Sequence, residues 1–260
     1  MEKLKTSGYA PINGLSMYYE IYGDSNMPLV LIHGGGSTIE TTFGTLLPLL
    51  SDYGKLVAVE LQAHGRTSDR DAPESFEQDA DDVAGLLNYL KIDKANIMGF
   101  SNGGSTAMQI AIRHPGVINK IIVVSGAFKR DGFIPGFFDG FKGATLDNMP
   151  IPLQAGFLKV TPDKSRLQVM FDKDVERMVT FKDWPDDALR SIKAPALIIA
   201  ADHDAMTPAH MIEITCLIPG SRLAILPGTH GSIIGEAGSE KGASNLPGIV
   251  AALVKGFLND

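Results

Sequence analysis

Short apolar runs recur along the chain at Leu29–Ile32, Leu56–Val59, Ala95–Phe100, Ile121–Val124, Ala196–Ala201 and Leu223–Leu226. Runs with so little polar alternation suit strands covered on both faces. Helical segments separate them. Ser75 and Gln78 stand at capping-box spacing at the start of residues 75–90, with Asp79, Asp81 and Asp82 near the positive helix end. Another helix is expected over 102–114, directly after the third run. Thr207-Pro208 offers a cap and a first-turn proline for the next, and a last one runs from about 247 to 258. Strands alternating with helices imply an α/β fold with a mostly parallel, doubly wound sheet and right-handed crossovers. An N-terminal hairpin precedes it. Asn13-Gly14 is a hairpin turn signal, and Leu15, Met17, Tyr19 and Ile21 alternate with Ser16, Tyr18, Glu20 and Tyr22 as in a half-buried antiparallel strand.

Residues 127–191 break this rhythm. They contain Phe128, Phe133, Phe137, Phe138, Phe141, Phe157, Phe171 and Phe181, the only tryptophan (Trp184) and no tyrosine. The expected organisation is a core of residues 1–126 and 192–260, with 127–191 inserted as a helical cap. The insertion follows the C-terminal end of a strand, where α/β sites lie, so it reads as a lid over an apolar pocket. Phe133, Phe137, Phe138 and Phe141 are the expected substrate-binding residues. The competing reading is a small subdomain whose aromatics pack its own core. The stretch Asp172–Arg177 is expected to be the lid's solvated outer face.

Gly99-Phe100-Ser101-Asn102-Gly103 fits a G-x-S-x-G nucleophile elbow, with a strand before it and a helix after it. The sharp turn strains the serine backbone and leaves no room for bulk two residues away on either side. A serine hydroxyl needs a base. Of the histidines, His33 and His64 precede the serine, and His114 belongs to the surface of the following helix. His203 adjoins the acid candidates, and His210 lies inside a helix, where a surface position is expected. His230 follows the last strand in a loop and is the expected base. Asp204, beyond the strand ending at Ala201, is favoured over Asp202 as the acid that orients it. The strand ending at Val124 continues Ser125-Gly126-Ala127 and offers no carboxylate there. The amide of Asn102, at a helix N-terminus, is one expected oxyanion donor. His33-Gly34-Gly35-Gly36 after the first run lets another amide approach a substrate carbonyl.

These segments resemble the α/β-hydrolase fold family over essentially the whole chain. The match of His33-Gly34 to the family's oxyanion segment implies the Gly35 amide as the other donor. Asp204 with Pro208, and the late His230, match its acid and histidine motifs. Glu60–Ser68 resembles the turn after the fourth strand, with Glu60 in place of aspartate and Ala63 in place of the first glycine. Serine at position 101 speaks against the branch that uses an aspartate nucleophile. The function expected is hydrolysis of carboxylic esters or related acyl compounds, lactones included, with Ser101, His230 and Asp204 as the catalytic residues. No metal or other cofactor is expected. The alternative is hydrolysis of carbon–carbon bonds in enol-diketo acids, for which Lys129, Arg130 or Lys142 would bind the substrate carboxylate. A non-catalytic ligand-binding protein is the reading from a different class.

Composition sets the partners. The net charge of −7 disfavours nucleic acid and anionic membranes, leaving a small apolar ester-like substrate. The lone Cys216 permits no intrachain disulfide and suits a reducing, cytoplasmic setting. It is expected to be a small buried residue in its helix. Met1–Ser7 leads into no apolar stretch of the signal-peptide kind.

Overall fold

The computed structural model describes residues 4–239 and 245–260. The first three residues of the N-terminal segment just discussed lie outside them. The strands are β1 (Leu4–Ile12), β2 (Leu15–Tyr22), β3 (Leu29–Ile32), β4 (Leu56–Val59), β5 (Ala95–Phe100), β6 (Ile118–Val124), β7 (Ala196–His203) and β8 (Arg222–Thr229). They form one sheet in the order β1-β2-β4-β3-β5-β6-β7-β8. From β4 to β8 the neighbours are parallel, while β2 pairs antiparallel with both β1 and β4. Asn13 and Gly14 turn the hairpin with φ of 46° and 84°, the two positive values that a tight two-residue hairpin requires.

The helices are α1 (Ile39–Phe43), α2 (Leu46–Leu50), α3 (Phe76–Tyr89), α4 (Asn102–Arg113), α5 (Ile151–Val160), α6 (Lys164–Thr180), α7 (Asp186–Arg190), α8 (Pro208–Leu217) and α9 (Leu246–Asn259). Successive strand residues point to opposite faces and feed two cores. Val30, Ile32, Val57, Ile97 and Val123 pack with Val83 and Leu86 of α3 and Met108 of α4. Leu29, Leu31, Met98, Ile122 and Val124 pack with Leu46 and Leu50 of α2 and Val250 and Val254 of α9. This doubly wound arrangement carries the C-terminal ends of β3, β5, β6, β7 and β8 to one edge of the sheet.

Between β6 and β7 the chain makes three short 3-10 turns and then α5, α6 and α7. Met149, Leu153, Phe157, Met170 and Phe171 form a third apolar cluster there, joined by Ala63.

Several local expectations need correction. β2 is not half-buried, because Tyr18 and Glu20 on its polar face are covered as well. The Arg66 guanidinium lies 4.5 Å from the Tyr18 ring centroid, and Tyr18 donates its hydroxyl to Glu20. β8 is the sheet edge, so Leu223 stays exposed despite its apolar run. Ser75 caps α3 by accepting from the Gln78 amide, but the Gln78 side chain turns to Asp82 and leaves the box half made. Cys216 is exposed on α8. His210 is buried: its ring stacks 4.9 Å from Phe128 and its Nε2 accepts the Phe128 amide.

Candidate active site

The turn from β5 into α4 leaves no space at its glycines. A Cβ at Gly99 would sit 1.8 Å from the Gly103 carbonyl oxygen, and one at Gly103 would sit 2.2 Å from that of Ile32. Ser101 between them has φ of 55° and ψ of −119°, a sparsely populated conformation that costs a non-glycine residue about 1–3 kcal/mol. Helix and strand packing hold it there, and its amide donates to the Val124 carbonyl at 2.8 Å.

His230 follows the last residue of β8, and Asp204 follows the last residue of β7. The structure brings both to Ser101. The Ser101 hydroxyl donates to His230 Nε2 at 3.0 Å, and His230 Nδ1–H donates to Asp204 Oδ1 at 2.5 Å. Asp204 also accepts from the Ala205 amide at 2.7 Å, from the Ala201 amide at 3.1 Å and from the Ser125 hydroxyl at 2.5 Å. Burial works against the Asp204 charge, but His230, Ser125 and the Ala201 amide outweigh it and keep the carboxyl below its ordinary value. Burial likewise disfavours imidazolium at His230, and the Asp204 carboxylate overrides it, raising the ring above its ordinary value. The Phe100 ring lies 4.8 Å from the His230 ring and backs it. Asp202 is exposed and accepts the Gly228 amide at 2.8 Å, away from this group.

Gly35 and Asn102 face each other closely. A Cβ on Gly35 would meet the Asn102 side-chain amide at 2.6 Å, so glycine lets the two lie this close without that amide shifting. With Ser101 and His230, these two residues line a cavity of about 380 Å³. Its walls are mainly apolar, including Phe133, Phe137, Phe141, Leu153, Phe171 and Met206. A second cleft of about 360 Å³, bordered by Glu74, Arg177 and Trp184, does not include Ser101. Among the described residues, no three or more His, Cys, Asp or Glu side chains are grouped to hold a metal ion.

Three of the four expected pocket phenylalanines line the cavity. Phe138 does not: it packs edge-on against Phe133 and Phe137, with the Arg130 guanidinium 3.6 Å from its ring centroid. The aromatics of residues 127–191 therefore both line the cavity and pack with one another. The cationic groups considered for a carboxylate ligand are engaged elsewhere. Lys129 pairs with Asp186 and Glu213, Arg130 donates to the Met178, Val179 and Phe181 carbonyls, and Lys142 pairs with Asp139 on the surface.

The stretch Asp172–Arg177 departs most from expectation. Asp172 and Glu176 are exposed, but Asp174 lines the cavity and Arg177 is buried. Helical geometry explains this: positions three apart share a face, and 174 and 177 fall on the inward one with Met170 and Met178. Arg177 is paired with Glu74 at 2.6 Å and Asp79 at 3.0 Å. Ser125 and Asp174 are the site residues that sequence reasoning passed over. Only the spacing of Asp174 with Met170, Phe171 and Met178 carried a signal for either.

A family model described as "Alpha/beta hydrolase family" matches residues 29–238. "Serine hydrolase BPHL" from Homo sapiens is 29% identical over 238 residues, spanning 85% of this chain and 79% of that protein. The enol-lactonase from Burkholderia xenovorans superposes with a TM-score of 0.75 at 23% identity, covering 97% of this chain and all of that one (100%). A meta-cleavage product hydrolase from Pseudomonas fluorescens superposes at 0.78 with 20% identity, over 98% of each chain.

Proposed function

The chain belongs to the alpha/beta hydrolase family, and we propose that within it this hydrolase is a serine esterase acting on small acyl esters or lactones. The observation that carries this reading is the unbroken relay from Ser101 through His230 to Asp204, at 3.0 Å and 2.5 Å, beside an apolar cavity.

In this reading Ser101 Oγ attacks the substrate carbonyl while His230 Nε2 takes its proton. Asp204 keeps the other ring proton on Nδ1, which leaves Nε2 free to accept, and it stabilises the imidazolium. The Gly35 and Asn102 amides receive the oxyanion; losing one such donor typically costs ~3 kcal/mol of transition-state stabilisation. The imidazolium returns its proton to the leaving alkoxide, and the acyl group stays on Ser101. Water then attacks the acyl-enzyme, with His230 again as base, and releases the acid. Residues 127–191 act as the lid on a core of 1–126 and 192–260.

The BPHL relative is named a serine hydrolase, which agrees with this reading. The carbon–carbon alternative is disfavoured by the cavity's lining. An enol-diketo acid needs a cation beside its carboxylate, whereas no Lys or Arg lines the cavity among the described residues, and Lys129, Arg130 and Lys142 are paired elsewhere.

The test is a p-nitrophenyl ester panel of increasing acyl length, with fluorophosphonate labelling followed by peptide mass mapping. Hydrolysis with label on Ser101, and neither in Ser101→Ala, is the expected result. Turnover of a meta-cleavage product in preference to every ester would favour the alternative instead.

A further inference from the structure

Asp174 reaches from α6 of the cap into the core and touches three separate segments. Its Oδ2 accepts the Gly36 amide at 2.5 Å and His64 Nε2–H at 3.0 Å. Its Oδ1 faces the Asn102 side-chain amide at 3.4 Å. One carboxylate thus ties the loop after β3, the loop after β4 and the residue that follows Ser101. A bare carboxylate beside an oxyanion site would oppose the charge that develops there, so its pairing matters.

That pairing is legible in the hydrogen bonds. His64 Nδ1 faces the Gln62 carbonyl at 2.7 Å and Nε2 faces Asp174, so both ring nitrogens meet acceptors and both must donate. His64 is therefore an imidazolium. His33, its ring 4.8 Å away, is the contrary case: Nδ1–H donates to the Gly34 carbonyl and Nε2 accepts the Leu61 amide, so it is neutral.

Resting on the serine-hydrolase reading above, we propose that Asp174 is a positioning residue for oxyanion stabilisation. It holds the Gly35–Gly36 segment against Asn102, and the His64 imidazolium cancels the charge that would otherwise oppose the oxyanion. The cap in this arrangement is part of the hydrolytic apparatus as well as a cover.

The groups facing His64 are Asp174 from α6, Glu74 from the segment before α3, Asp79 of α3, His33 just after β3, and the Gln62 carbonyl of its own loop, with Arg177 of α6 paired to Glu74 and Asp79 behind them. Burial disfavours its charge, but Asp174 and Glu74 prevail and raise it to about 9. Below that pH the Asp174 charge is cancelled; above it the charge is exposed to the developing oxyanion, and turnover falls.

The experiment measures kcat and KM for p-nitrophenyl butyrate from pH 6 to 9.5 in wild type, Asp174→Asn, Asp174→Ala and Ser101→Ala. Asp174→Ala should lower kcat roughly 100-fold, as small misplacements of reacting groups do. KM should stay within about threefold. Asp174→Asn keeps an acceptor for the Gly36 amide and should lose only about tenfold. It should also lack the alkaline decline in kcat. Should the alanine variant fail to fold, the near-isosteric asparagine variant decides alone. Unchanged kcat in the folded Asp174 variants, a KM effect without a kcat effect, or an alkaline decline that persists in Asp174→Asn each overturns the proposal. An active Ser101→Ala would instead overturn the underlying serine-hydrolase reading, whatever the Asp174 variants do.

Discussion

Ser125, at the end of β6, donates its hydroxyl to Asp204 Oδ2 at 2.5 Å, while Asp204 Oδ1 receives the His230 ring proton. Each carboxylate oxygen thereby has a fixed partner, and the acid cannot rotate away from the histidine. In Ser125→Ala one buried lone pair is left without its donor, a loss of about 1–3 kcal/mol when a partner is removed. Thermal unfolding should register that loss, and kcat should fall by up to about tenfold as Asp204 loosens. A variant indistinguishable from wild type in both would mean that the Ala201 and Ala205 amides suffice to hold the acid.

Asp204→Asn and Asp202→Asn should separate sharply. The first should cut kcat by up to ~10⁴, because the amide imposes the wrong histidine tautomer. The second removes only a contact to the Gly228 amide and should cost little. The pH profile supplies a further check. His230 must be neutral to accept the serine proton, and Asp204 raises its pKa above the ordinary value. Wild-type activity should therefore be lost as pH falls through a midpoint above about 6.5. In the residual activity of Asp204→Asn burial dominates, and the midpoint should drop. An unchanged midpoint would mean that another group controls this limb.

Much of the fold and of the candidate site was legible because the signals are local. The elbow pentapeptide lies between a strand and a helix, and chain order together with position in the loops after the last two strands favours Asp204 and His230 as its partners; the structure brings those side chains together. What was hidden depends on partners distant in sequence. Arg177 looks like a surface charge until Glu74 and Asp79 are brought against it, and Asp174 until His64 and the Gly36 amide are. The apolar run in β8 cannot announce that no ninth strand covers its edge in the described residues. Nor does β2 announce that Arg66 closes over Tyr18.

The Arg177 cluster makes a stability prediction. Arg177, Glu74 and Asp79 have side chains only 2%, 0% and 1% exposed, so solvent screens them little. Arg177→Met would strand two buried carboxylates, at a cost of ~3–5 kcal/mol. Burial raises both acids, Glu74 to about 7, with Arg177 pulling the other way. A folded-state pKa raised above the unfolded one favours folding at low pH, and that contribution is lost as pH rises through the folded value. Without Arg177 the acids rise further, so urea unfolding should show the larger loss at pH 8 and a smaller one at pH 5.5. A pH-independent loss below 1 kcal/mol would show that this cluster contributes little.

Chain-length selectivity should divide the phenylalanines of residues 133–141. Phe133, Phe137 and Phe141 line the cavity, and Phe138 does not. Each added substrate methylene buried there should raise kcat/KM about fourfold, or ~0.8 kcal/mol, until the cavity is full. Alanine at Phe133, Phe137 or Phe141 should move the optimum to longer esters. Alanine at Phe138 should leave the optimum in place and only lower stability, and a shifted optimum in that variant alone would invert the assignment.

The cooperation of Ser101 with His230 is open to direct measurement in a double-mutant comparison of kcat on one p-nitrophenyl ester. Ser101→Ala and His230→Ala should each lower kcat by several orders of magnitude with the fold intact. The double variant should be no slower than the slower single one, because the two residues act as a unit. A double variant that loses the product of the two single losses, or a Ser101→Ala variant that turns over at a rate near wild type, would contradict it.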